Sequence, residues 1–193
     1  MKSLDEYVTE ATRAHGHTCA GQILGLRMAM YGVRMLGLDD PAGKDRKRLV
    51  TFVEIDRCAT DAVSVVTGCR LGKRALKFRD FGKVAATFCD LQGDRAVRVT
   101  ALESSKAQAR ELYPDIEDSN QQQMRAYREM PDEELFAAQW VKVALPPEDL
   151  PGYKGSSVVC SECGERINFK REVAREGKLL CRACAGERYY REV

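Results

Sequence analysis

The sequence predicts a core of mixed helices and strands followed by a small metal-stapled module. Three observations carry this reading. Apolar residues recur at helical spacing in the first forty residues, β-branched and aromatic runs follow at 49–55, 84–89 and 96–101, and two C-x-x-C pairs close the chain. At 193 residues the chain can bury one core and carry an appended unit.

Leu4, Tyr7, Val8 and Ala11 predict a short amphipathic helix over 3–14, which delivers His15 to whatever follows. His15, His17 and Cys19 then alternate, so in an extended segment the three side chains share one face. A run from Gly21 to Leu36, apolar nearly all round, predicts a buried helix ended by Gly37. Cys19 just precedes that helix, where free N–H groups and the macrodipole favour a thiolate. Gly25 and Gly32 lie seven apart on one helix face and permit close backbone approach to a sheet or a partner helix. This glycine-spaced face is the ground for expecting a homodimer.

Leu49 to Ile55 predicts a strand, after which Asp56 can cap a helix whose stripe is Ala59, Ala62, Val63 and Val66, ended by Gly68. Cys58 falls in the first turn of that helix with Asp61 on the same side, and Cys69 follows its terminal glycine. Residues 84–89 and 96–101 read as a hairpin across Asp90–Arg95, which makes Cys89 a core residue. Polar helices are expected over 104–112 and 120–130, a short one from Pro131, and a closing strand over 140–144. Leu145–Gly152, with three prolines and a glycine, marks a linker, so the expected domains are 1–150 and 151–193.

In the second domain Cys160 and Cys163 are separated by seventeen residues from Cys181 and Cys184, a spacing suited to one structural zinc. So short a segment has little core, and the metal supplies much of its folding energy. From Ser156 to Val193 eight Lys/Arg face six Asp/Glu, and four thiolates around a dication cancel the excess. The module lacks the basic stripe of a nucleic-acid finger, which argues against nucleic acid as a partner.

Overall charge is +2 from 31 basic and 29 acidic residues, so no field steers the chain to a polyanion. No segment is apolar enough to span a bilayer, the N-terminus is not a secretory signal, and eight cysteines in a cytoplasmic protein point to thiols and metal ligands rather than disulfides.

With His-Gly-His-x-Cys-x-Gly at 15–21, Cys58-Ala59-Thr60-Asp61-Ala62, Thr67-Gly68-Cys69, Gly72-Lys73 and Asp80-Phe81-Gly82-Lys83, the chain resembles the formylmethanofuran dehydrogenase E-subunit family over residues 10–150. Its tail resembles a treble-clef zinc finger. The resemblance implies an α+β core of thioredoxin-like type, a mixed five-stranded sheet flanked by helices. It also implies a metal-binding active site at His17, Cys19, Cys58 and Cys69, with His15, Asp61 and Lys73 nearby, and a link to a molybdenum or tungsten one-carbon oxidoreductase. Members of the family commonly carry proline after the motif cysteine; here Ala20 frees a backbone N–H. Three soft or borderline ligands suit a second, weaker zinc with an open position. Two alternatives stay open: a non-catalytic metal or thiol carrier, and a zinc-finger regulator binding protein or nucleic acid.

Overall fold

The computed structural model describes every residue except Glu192 and divides into two compact units, Met1–Val143 and Ala144–Val193. In the first unit α1 (Leu4–His15) opens on a capping box. Ser3 Oγ accepts from the Glu6 N–H at 3.3 Å and the Glu6 carboxylate accepts from the Ser3 N–H at 2.8 Å. The helix ends at Gly16, whose φ of 94° is costly for any residue with a Cβ.

Helix α2 (Ala20–Met35) is the central buried rod; Ile23, Leu26, Ala29 and Val33 have no exposed surface. Its two internal glycines are both used inside the unit. A Cβ on Gly25 would lie 2.5 Å from the Ala59 carbonyl oxygen of α3 (Cys58–Thr67), and one on Gly32 would overlap the Phe88 ring. The helix therefore meets α3 and the sheet at distances only glycine allows, and the glycine face that suggested a second copy is covered by the chain itself.

The sheet has five strands in the order β2-β1-β3-β4-β5. They are β1 (Leu49–Val53), β2 (Leu76–Phe78), β3 (Ala85–Asp90), β4 (Arg95–Ala101) and β5 (Phe136–Val141). β1 and β2 run parallel, joined through α3, and the other neighbours are antiparallel. The mixed five-stranded sheet flanked by helices is thus present. β2 leaves no signal in the sequence because three residues, one of them Lys77, carry no alternation. β5 begins four residues earlier than the expected 140–144: Phe136 pairs with Ala101 and Val141 with Ala96, and Val143 lies past its end.

Arg48 grips the buried Asp90 carboxylate with two bonds, at 3.2 and 2.8 Å, and Arg98 does the same to Glu54 at 2.7 Å each. Helices α4 (Ser104–Leu112) and α5 (Ser119–Glu129) precede the short α6 (Asp132–Leu135). Arg27 of α2 donates to the carbonyls of Tyr127 and Met130 at 2.7 Å each and pairs with Asp132 at 2.8 Å, satisfying the carbonyl end of α5. No helix among the described residues is long and apolar enough to cross a membrane.

The second unit contains two hairpins, β6 (Val158–Val159) with β7 (Arg166–Ile167) and β8 (Val173–Arg175) with β9 (Lys178–Leu180), then a helical turn over Ala183–Glu187. The proline-rich stretch belongs to it: Glu148 and Asp149 pair with Lys170 and Arg171 at 3.9 and 3.7 Å. The division falls between Val143 and Ala144 because β5 stops there, ahead of the boundary placed at residue 150.

Candidate metal centres

In the second unit the sulfurs of Cys160, Cys163, Cys181 and Cys184 all lie within 4.8 Å of one another, and those of Cys163 and Cys181 are 3.9 Å apart. A tetrahedral zinc with bonds of about 2.3 Å spaces its sulfurs by roughly 3.8 Å, so this donor set fits the ion. The backbone supports it: the Cys181 N–H donates to Cys160 Sγ at 3.2 Å and the Cys184 N–H to Cys181 Sγ at 3.3 Å. N–H groups of Cys163, Cys181 and Glu162 pull the Cys160 thiol down to about 6. Cys184, crowded first by the Cys181 sulfur, is pushed up to about 12. Four sulfurs this close cannot all ionise together without a cation among them. Apart from the cysteines, the buried apolar core of this unit is Ile167 and Leu180, too little to hold it folded.

The first unit builds its cluster from two helix ends and the turn between them. His15 closes α1, Gly16 reverses the chain, and Thr12 and Thr18 join their hydroxyls at 2.6 Å to fold the turn back. Cys19 is then the N-cap of α2, extended at φ −144° and ψ 165°, with its side chain free of capping duty. The donor atoms of His15, His17 and Cys19 come within 4.8 Å of one another, and the two imidazole centroids are 4.8 Å apart. His15 Nδ1–H donates to Asp61 Oδ2 at 2.9 Å, which leaves Nε2 as its donor toward a metal. A carboxylate behind a ligating histidine fixes its tautomer and ring orientation.

Cys58, the first residue of α3, lies against Cys19: burial pushes its thiol up, and the Cys19 sulfur beside it adds to the effect. Gly21 leaves room between them, since a Cβ there would touch Cys58 Cβ at 3.4 Å and Cys19 Sγ at 3.8 Å. Of the residues expected here, the structure gathers His17 and Cys19, sets Cys58 at their side and brings in His15 as a full member. Cys69 is elsewhere. It follows α3, whose ten residues span about 15 Å, and is fully buried, accepting from Thr51 Oγ1 at 3.5 Å. Its thiol is raised by burial. Lys73 sits in an exposed 3-10 turn over Leu71–Lys73, beyond that same end of α3. Cys89 is buried in β3, as expected of a core residue.

A cavity of about 680 Å³ opens beside His17, Cys19 and Cys58. Its walls include Leu24, Ile55 and Val84 on one side and Lys106, Asn120 and Gln123 on the other. Nothing in the sequence marks the last three, which read as solvated positions of polar helices. Asn120 also braces the backbone. Its Oδ1 accepts from the Ala20 N–H at 2.9 Å, so the amide that proline would have removed is tied to α5. The turn after Cys19 is held by a hydrogen bond where a ring would otherwise stiffen it.

Comparison with known proteins agrees with this layout. Residues 14–137 match the model of the family described as FmdE, molybdenum formylmethanofuran dehydrogenase operon, and residues 153–190 match the prokaryotic dksA/traR C4-type zinc finger. A probable S-adenosyl-L-methionine-binding protein of Archaeoglobus fulgidus is 31% identical, over 98% of this chain and 55% of its own length; the chain thus spans about half of that curated relative. Among solved structures, an FmdE-like protein of tungsten formylmethanofuran dehydrogenase from Syntrophus aciditrophicus shares the fold. Its TM-score is 0.64 and its identity 24%, covering 98% of this chain and 95% of that one. The first unit is matched over nearly its whole length and the second over its four cysteines, and on that ground the chain belongs to the FmdE family and carries a C4-type zinc finger at its C-terminal end.

Proposed function

We propose that the first unit holds a second metal ion between His15, His17 and Cys19, with Cys58 alongside, and that the protein acts with or beside a molybdenum or tungsten one-carbon oxidoreductase. The observation that carries the metal reading is the convergence of the three donors within 4.8 Å at the wall of a cavity. Two imidazoles and a thiolate suit zinc and leave a coordination position open, as in catalytic rather than structural sites. When bound, such an ion supplies a Lewis acid that polarises an oxygen of a ligand. The chain's own residues set the conditions. Asp61 orients His15, Cys58 holds a proton at Sγ beside Cys19, and the apolar wall of Leu24, Ile55 and Val84 limits water. The partner reading is supported by the family's description and by the name of the solved neighbour.

The test is metal analysis on anaerobically prepared protein. Two metals per chain are expected, falling to one in Cys19→Ser and in His15→Ala, while an unchanged count in both variants overturns the metal reading. Because the first site is open and the finger closed, a chelator should empty the first site before the second. Affinity purification under the same conditions should retain the oxidoreductase, and its absence overturns the partner reading. A second reading, suggested by the Archaeoglobus relative, is that the cavity binds S-adenosylmethionine; its volume lies within the usual range for small-molecule sites. Equilibrium dialysis with that compound decides it.

A further inference from the structure

The polar wall of the cavity has a consistent chemistry. Asn120 Oδ1 is occupied by the Ala20 N–H, so the group it has left to offer is its Nδ2, with two donors. Gln123 Oε1 is occupied by the Tyr127 hydroxyl at 3.3 Å, so Gln123 likewise offers its Nε2 donors. Lys106, at the mouth, pairs with Glu103 at 2.7 Å and retains two of its three ammonium protons for another acceptor. The side chains that α4 and α5 contribute to this wall are therefore donors, two of them fixed in that sense by their other bonds. Opposite them Leu24, Ile55 and Val84 are apolar. At the α3 rim Asp56 and Arg57, adjacent and opposite in charge, offset each other.

A ligand satisfying this wall must bring acceptors and no competing donors, since a buried donor facing a donor leaves both unsatisfied. We propose that the cavity takes a small carboxylate with an apolar body, its oxygens against Lys106, Asn120 and Gln123 and its body across Leu24, Ile55 and Val84, so that its far end reaches Cys19 and His17. The inference deepens the reading of the first unit as a working metal site, and it rests on that reading only for what happens at the far end. A carboxylate meeting an ammonium and amide donors gains charge-assisted bonds, whereas the corresponding amine meets only like groups.

The probes are 4-phenylbutyrate and 4-phenylbutylamine, equal in body and opposite in charge, titrated calorimetrically into the full-length protein before and after metal is stripped from the first site. The carboxylate is expected to bind at least about tenfold more tightly than the amine. Gln123→Glu keeps the acceptor for the Tyr127 hydroxyl but replaces the donors by a negative charge. It should weaken the carboxylate by about tenfold or more and improve the amine, and Lys106→Gln should weaken the carboxylate alone. Equal binding of the two probes, or carboxylate binding that neither variant changes, overturns the inference. Metal bound without carboxylate binding defeats this inference and spares the metal reading. Carboxylate binding with no metal in the first site does the reverse.

Discussion

Replacing Gly25 by alanine tests the packing that sets the two helix starts side by side. The new Cβ would meet Ala59 O at 2.5 Å, Ala59 Cα at 2.7 Å and Ala62 Cβ at 2.9 Å. Carbon atoms in contact normally sit about 3.5–4.0 Å apart, so α2 and α3 must separate by roughly 1 Å. Two of the three atoms are backbone and cannot rotate away, which places the cost at the upper end of the overpacking range, about 3 kcal/mol. Alanine returns about 1 kcal/mol in helix propensity, leaving a net loss of about 2 kcal/mol. For a unit of this size that is a fall in Tm of about 4–8 °C. The same displacement parts Cys19 from Cys58, so metal affinity of the first site should fall while the finger keeps its zinc. Differential scanning calorimetry and metal competition read the two effects. Gly21→Ala is the control, since its Cβ makes only ordinary contacts at 3.4 and 3.8 Å and should shift stability by less than about 0.5 kcal/mol. A Gly25→Ala protein that melts with the parent would refute the argument that this glycine is required by close helix approach.

Removing Asp61 by Asn should weaken metal binding in the first unit about tenfold through loss of the anion behind His15, with the finger's zinc unchanged; identical competition curves would contradict it. Cys160→Ser or Cys184→Ser should release the finger zinc, open the chain to protease between Val143 and Tyr153, and leave the melting of the first unit within about 1 °C. Cooperative loss of the whole molecule would show that the units are not independent. Burial pushes the Cys89 thiol up to about 12. Its folded value exceeds the unfolded one, so the native state holds a proton that the unfolded chain releases, and this contribution is lost as pH rises from about 9 toward 12. Stability of the parent should therefore fall more steeply than that of Cys89→Ala between pH 9 and 11, by up to about 1.4 kcal/mol per pH unit. Parallel slopes would count against it.

The parts of the structure that could be read in advance are those written in local pattern. Ser3 with Glu6, Gly16, Gly37 and Gly68 punctuate the first three helices, and the C-x-x-C pairs encode their own tetrahedron. What could not be read depends on which segments meet. Asn120 and Gln123 look like any solvated residues of a polar helix until α5 is laid against the start of α2. β2 has no periodicity of its own and exists because β1 offers it an edge. Cys58 and Cys69 illustrate the difference: both adjoin ends of α3, yet the N-terminal one meets the histidines and the other is buried behind the opposite end. Helix length alone separates them, and that much was available from the sequence. The role of His15 was legible only as proximity, because its alignment requires Asp61 on another helix.

The hydrogen bond between Ala20 and Asn120 spans 100 residues. On a ribosome adding about 5–20 residues per second, the histidine–cysteine turn emerges some 5–20 s before the side chain that braces it. During that interval His15, His17 and Cys19 sit on a hairpin of two helices without α5, α6 or the Arg27 clamp. Metal captured so early is held by a flexible tripod and exchanges freely, so the first site acquires its final ion only after α5 docks. Loading of this protein is in that sense a late event in its synthesis, and a chain truncated before residue 119 should bind metal there weakly.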